Sequence, residues 1–183
     1  MLEKQFIEQC APTLASLKTG SLFTFHYQDE KELQNSVREW DEQMSEKGIA
    51  VSILRTQKHM ALIYVYRPSR LKRDMSRPET ENFLRQCGYK NANPDSALRI
   101  LQKKLQEEEG FPHEIGLFLG YPLEDVIGFI VNAGRNSLVT GYWKVYANVN
   151  EAMETFAKYK KCRAVYERLW KEGRSVWQLT VAA

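Results

Sequence analysis

Few side chains in this sequence combine a reactive type with a setting that suggests chemistry. Cys10 stands in Cys10-Ala11-Pro12-Thr13, which reads as a junction where one helix ends and another restarts at Pro12. A thiol near a helix N-terminus has its thiolate favoured, so Cys10 is the candidate nucleophile. The plainer reading is a small buried hydrophobe, the usual role of a cysteine. His113 and Glu114 are the candidate proton carriers beside it, because imidazole is the side chain that exchanges a proton near neutral pH. Adjacent residues on a strand point to opposite faces, so this pair would not act on one atom together. His113 reads equally as a loop histidine bonded to backbone. No second histidine follows four residues on, so the zincin helix pattern is absent.

A second group of side chains suits an anion. Arg67, Arg70, Lys72, Arg73 and Arg77 crowd together with only Asp74 among them. Guanidinium groups in such a cluster recognise phosphate or carboxylate. A basic run is also the ordinary form of a solvated face. It holds no interleaved aromatics, which argues against single-stranded nucleic acid. Lys18, at the turn Lys18-Thr19-Gly20-Ser21, can meet an anion or simply end a helix. Lys144 lies between Tyr142 and Tyr146 in Tyr142-Trp143-Lys144-Val145-Tyr146. Alternation would put Tyr142 and Lys144 on one strand face, either as an anion or flavin-edge contact or as an edge-strand charge that blocks aggregation. Lys18, Arg67, Arg70, Gly120, Tyr121, Tyr142 and Lys144 form the candidate ligand-binding set.

The stretch that would position these groups runs from Phe111 through Pro122. Ile115 to Leu119 is a short apolar run, which periodicity alone assigns to neither strand nor buried helix. Gly116 and Gly120 favour a strand, stopped at Tyr121-Pro122. Pro122 then suits the first position of a helix running to about Ala133 and capped by Gly134. A strand, tight turn and helix in this order often border a ligand crevice in α/β proteins. The plainer alternative is a stiff connector. No glycine-rich nucleotide-phosphate motif is present.

The remaining elements follow from pattern. Residues 2–9 read as a helix, 22–27 as a strand and 30–47 as an amphipathic helix with Leu33, Val37, Trp40 and Met44 inward. Residues 49–54 and 60–66 read as an antiparallel hairpin. Helices are expected at 78–86 and 94–109, joined by a loop at 91–94; the acidic end 107–110 opposes the helix dipole and suggests fraying. A strand is expected at 137–146, a long helix at 150–172 with a basic outer face, and an edge strand at 176–181. The implied fold is α/β: a single domain over residues 1–183, with a mixed β-sheet of about five strands flanked by helices.

Composition bounds the rest. The chain has 183 residues, 43% hydrophobic and 27% charged, with a formal net charge of +3. That is an ordinary globular balance, and too mild a charge to indicate nucleic acid. No apolar run approaches the length of a membrane span, and residues 1–5 lack a secretion signal. The three cysteines, Cys10, Cys87 and Cys162, show neither disulfide nor zinc spacing. A reducing cytoplasm fits them, with no metal site. The sequence names no cofactor and sets no oligomeric state.

The central stretch 111–126, together with Gly141-Tyr142-Trp143-Lys144-Val145-Tyr146, Tyr159-Lys160-Lys161-Cys162 and Cys10-Ala11-Pro12-Thr13-Leu14, resembles the bacterial family domain of unknown function 3793 over nearly the full length. The resemblance implies a small bacterial cytoplasmic protein, with flavodoxin and iron-uptake gene neighbours, and carries no catalytic residues. Three functions stand open. One is a non-enzymatic binding or accessory protein for a small anionic ligand or an acidic, flavodoxin-like partner. Another is an enzyme with a Cys10 nucleophile and His113 and Glu114 as acid–base help. The third is a self-associating interaction protein.

Overall fold

The run Met60-Ala61-Leu62-Ile63-Tyr64-Val65-Tyr66 is apolar throughout, and such a run suits a strand covered on both faces. The computed structural model, which describes residues 2–91, 93–107 and 111–183, puts it there. The chain runs α1 (Leu2–Leu14), β1 (Gly20–His26), α2 (Glu30–Ser45), β2 (Ala50–Gln57), β3 (Met60–Tyr66), α3 (Pro68–Met75), α4 (Pro78–Gln86) and α5 (Pro94–Gln106). Then come α6 (Ile115–Phe118), α7 (Leu123–Val131), β4 (Val139–Thr140), β5 (Lys144–Val145), α8 (Val149–Lys171) and α9 (Val176–Leu179). The expected loop at 91–94 and the acidic helix end at 107–110 each include positions outside the described residues, 92 and 108–110.

The sheet has three strands in the order β1-β3-β2, every pair antiparallel. The expected mixed sheet of about five strands is therefore corrected. The β2–β3 hairpin forms as expected, through Lys58 and His59, both at positive φ (50° and 61°), the geometry of the tight hairpin turn. It folds β3 back between β1 and β2, so the two parallel strands joined by α2 never pair. Leu54 is the extra residue of a β-bulge between Ile53 and Arg55 and is buried.

Alternation along β3 builds two cores. Ala61, Ile63 and Val65 join Phe6, Ile7, Cys10 and Leu14 of α1, Leu33, Val37 and Met44 of α2, and Tyr166 of α8. Tyr64 and Tyr66 join Leu71 and Met75 of α3, Leu101 and Leu105 of α5, and Phe118 of α6 on the other face. A third small cluster sets Val145 against Ala152 and Phe156 of α8.

Four further expectations are corrected. Residues 115–119 are not a strand: Ile115, Gly116 and Leu117 bond back to the carbonyls of Pro112, His113 and Glu114. Residues 115–119 are all buried, so nothing demanded the two-faced alternation of a strand. Residues 176–181 hold α9, because Ser175 and Gln178 form a reciprocal capping box, a stronger local signal than alternation. Pro12 lies inside α1 and does not restart it; Phe6, Ile7, Cys10, Ala11 and Leu14 are fully buried, and that packing outweighs one missing helical bond. The strand expected over 137–146 is a short hairpin, β4 with β5. Tyr142 lies in its turn, so it does not share a strand face with Lys144.

Candidate functional site

A cleft of about 610 Å³ opens where the α1–β1 connection, α3 and the start of α4, the α6–α7 turn and the first half of α8 meet. Its floor includes Lys18, only 8% exposed. Among the described residues the Lys18 ammonium has no hydrogen-bond acceptor and no carboxylate partner. Its nearest attraction is the face of the Tyr121 ring, 5.4 Å from Nζ. Burial therefore pulls the Lys18 pKa down from 10.5 to about 8. A poorly solvated cation without a partner is costly, and a site that binds an anion has reason to hold one.

The neighbouring residues are arranged around it. Thr19 Oγ1 donates to Asp74 Oδ2 at 2.5 Å. Asp74 also meets Arg73 at 3.8 Å and Arg77 at 3.6 Å, so its charge is answered within the cleft wall. Arg70 donates to the carbonyls of Ser16 and Leu17, which end the turn after α1, and its buried Nε–H has no acceptor among the described residues. Tyr121 and Tyr159 are both held neutral by desolvation, each pushed up to about 12. Gly120 takes φ +79°, and a Cβ there would stand 2.8 Å from Thr19 Oγ1. The chain turns here against Thr19 only because no side chain intervenes.

Three helix N-termini line the same cleft. α4 starts after Arg77, α7 after Pro122 and α8 after Asn148, and none has a side-chain cap. Uncapped N–H groups and the positive helix end favour an anion. Glu79, Glu124 and Glu151 sit in these first turns but are exposed at the rim. α7 begins at Leu123, one residue later than the sequence suggested, with Pro122 as its flank.

Asp125 is 3% exposed and is fully occupied. It accepts from Trp143 Nε1 at 2.7 Å, Tyr146 N at 2.8 Å and Ala147 N at 3.0 Å, and so fastens the β4–β5 hairpin to α7. Trp143 then stacks on Tyr121 with centroids 5.0 Å apart. Asp125 stands in the first turn of α7. The sequence reading passed over Thr19, Asp74, Trp143 and Tyr159 as site residues, and only Trp143, adjacent to Lys144, carried a signal.

The candidates thus separate. Lys18, Arg70, Gly120 and Tyr121 meet in the cleft. Tyr142 and Lys144 lie in a neighbouring pocket that shares Tyr121 as a wall. Arg67 stands apart from both pockets: it is 1% exposed and its guanidinium is occupied by backbone. Its guanidinium donates to the carbonyls of Thr13 (2.8 Å), Leu14 (2.8 Å), Val181 (2.7 Å) and Lys47 (3.4 Å). It ties the negative end of α1 to the C-terminal segment and the end of α2. The stretch after it forms α3.

Cys10, His113 and Glu114 are not brought together. Cys10 is fully buried in the α1 layer, and desolvation pushes its thiol up to about 12, away from thiolate. Glu114 is buried and paired: Lys104 Nζ donates to it at 2.6 Å and Tyr89 Oη at 3.1 Å, which locks α5 to the segment before α6. His113 is exposed, its ring 5.0 Å from that of Phe129. Among the described residues no cluster of three or more His, Cys, Asp and Glu is placed to hold a metal ion, and no helix is long and apolar enough to cross a membrane.

A family model described as Protein of unknown function (DUF3793) matches residues 6–180. The chain belongs to that family. No curated protein and no solved structure matches it. The match to the family takes in every wall of the cleft.

Proposed function

We propose that this protein binds a small anionic ligand in the cleft floored by Lys18. One observation carries the reading: the Lys18 side chain is buried along the cleft floor, and its ammonium has no acceptor among the described residues. The fold bears the cost of that charge, and an anion would offset it. Three helix starts without side-chain caps face the same cleft, with Glu79, Glu124 and Glu151 exposed at its rim.

An acidic protein partner has less beneath it. The outer face of α8 carries exposed lysines and the local pairs Arg163–Glu167 and Arg168–Glu172, which are ordinary equipment of a solvated helix. The thiol-enzyme reading would need a thiolate at Cys10, and burial opposes one.

Titration calorimetry with inorganic pyrophosphate and citrate tests the proposal. Saturable binding of at least one anion is expected, about tenfold or more weaker in Lys18→Met, and weakening as salt rises. No saturation with either anion, or equal affinity in Lys18→Met, overturns it.

A further inference from the structure

The pocket behind the Tyr121 wall has a different character. It encloses about 480 Å³ between the start of α6, α7 and the β4–β5 hairpin, a volume within the usual range for small-molecule sites. Its lining is aromatic: Phe111, Tyr121, Phe129, Tyr142 and Trp143, with the His113 imidazole at the edge. Phe111 and Tyr142 are 44% and 39% exposed, and the Tyr142 ring is braced from α8 by Phe156 and Tyr159 at 5.7 Å and 5.3 Å between centroids.

Among the described residues the polar groups in it are few, and the unpaired charge is positive. Lys144 spends one ammonium proton on the Gly134 carbonyl at 2.6 Å and has no carboxylate partner among the described residues. Its Nζ stands 5.8 Å from the centroid of the Phe129 ring. The His113 ring lies 5.0 Å from the same centroid, so an ammonium and an imidazole both lie against the Phe129 ring. Among the described residues Asp125 is the one acid lining this pocket, and both its oxygens are engaged by Trp143, Tyr146 and Ala147.

From this arrangement we infer that the pocket is a second binding site, distinct from the Lys18 cleft, for a small aromatic carboxylic acid. The aryl group lies among Phe111, Phe129 and Tyr142, where ring–ring contacts reward a flat apolar body. The carboxylate meets Lys144, with His113 as the second donor. The complementarity is directional: a neutral ligand of the same shape gains the ring contacts and leaves the Lys144 charge unanswered.

Calorimetry with 2-naphthoate and its neutral isostere 2-naphthamide reads this difference. Wild-type protein should bind the acid saturably and about tenfold or more tighter than the amide, the gain expected of one charge-assisted contact. Lys144→Met should bind acid and amide alike. Because Lys144 also holds the Gly134 carbonyl, His113→Gln, at an exposed position, provides the second variant, and its acid-over-amide ratio should fall. A saturating concentration of pyrophosphate should leave the naphthoate isotherm in place. Absence of saturable naphthoate binding, equal wild-type affinities for acid and amide, an unaltered ratio in both variants, or displacement by pyrophosphate overturns the inference. Failure of pyrophosphate itself to bind would count against the Lys18 cleft alone.

Discussion

Two buried cations a few dozen residues apart in sequence have opposite structural roles. Arg67 is surrounded by carbonyl oxygens at the ends of α1 and the chain, so its charge is spread over four acceptors. Replacing it with Met takes this donor from the Val181 and Lys47 carbonyls and one of two donors from those of Thr13 and Leu14, and an unsatisfied buried acceptor is costly. Arg67→Met should lower stability by about 3 kcal/mol or more in urea denaturation; a loss within about 0.5 kcal/mol would contradict the role. Lys18 is the reverse case. Its folded pKa of about 8 lies below the ordinary 10.5, so between those values the unfolded chain binds the extra proton. Stability from this group is therefore missing below pH 8 and regained as pH rises toward 10.5. Cys10 and Cys162, pushed up to about 12 and about 11, act oppositely above pH 9, so the readable quantity is a difference between variants. Lys18→Met should be more stable than wild type by about 1 to 3 kcal/mol at pH 7, with the gap closing as pH rises from 8 to 10. A destabilised Lys18→Met would make Lys18 a structural residue and remove the reason to expect an anion.

At the level of elements, what could be read from the sequence followed from how local each signal was. α2, the β2–β3 hairpin and α5 were legible because their periodicity lay within the segment itself. α6 was not. Gly116 looked like a strand glycine, yet it is small because Val126 and Tyr121 press on it: a Cβ would stand 2.8 Å from Val126 Cγ2. That contact joins residues ten apart, and no local pattern announces it. Arg67 misled for a related reason, since a basic cluster in sequence says nothing of which member turns inward. The cleft was half legible, as Lys18, Arg70, Gly120 and Tyr121 were picked out singly but the turn that unites them was read as a strand's end. Gly120 is the joint of that turn. Gly120→Ala would put a side chain at φ +79° and against Thr19, the residue after Lys18. The backbone term alone is about 1 to 2 kcal/mol. Anion affinity should fall along with thermal stability, as Thr19 is pushed toward the cleft. A variant that melts lower yet binds pyrophosphate as well as wild type would show that the turn does not shape the site.

For the whole molecule, the arrangement around β3 sets how the protein comes apart. β3 is the middle strand, and its alternate side chains are the common floor of two helical layers. Neither layer can lose its contacts while the sheet stays covered, because exposing one face of β3 to water forfeits the burial that holds the strand for the other. α8 adds a second link: its early turns pack Ala152 and Phe156 against Val145, while Tyr166 further along packs on the α1 side. Its 23 residues span about 35 Å, long enough to strap the cleft wall to the far layer. Opening should therefore be global for both layers. In native-state hydrogen exchange over a denaturant series, the amides of Cys10 in α1 and Leu101 in α5 should converge on one opening free energy. The amides of the two-residue strands β4 and β5 should exchange through a lower-energy local opening, because Asp125 and one short ladder are their main ties. Pyrophosphate at saturation should raise the hairpin's protection as well as the core's, since Trp143 lines the cleft and moves with the hairpin. Two separate free energies for Cys10 and Leu101 would mean that the layers fold as independent units, and a cleft walled by both would then lack the rigid support that a preorganised binding site requires.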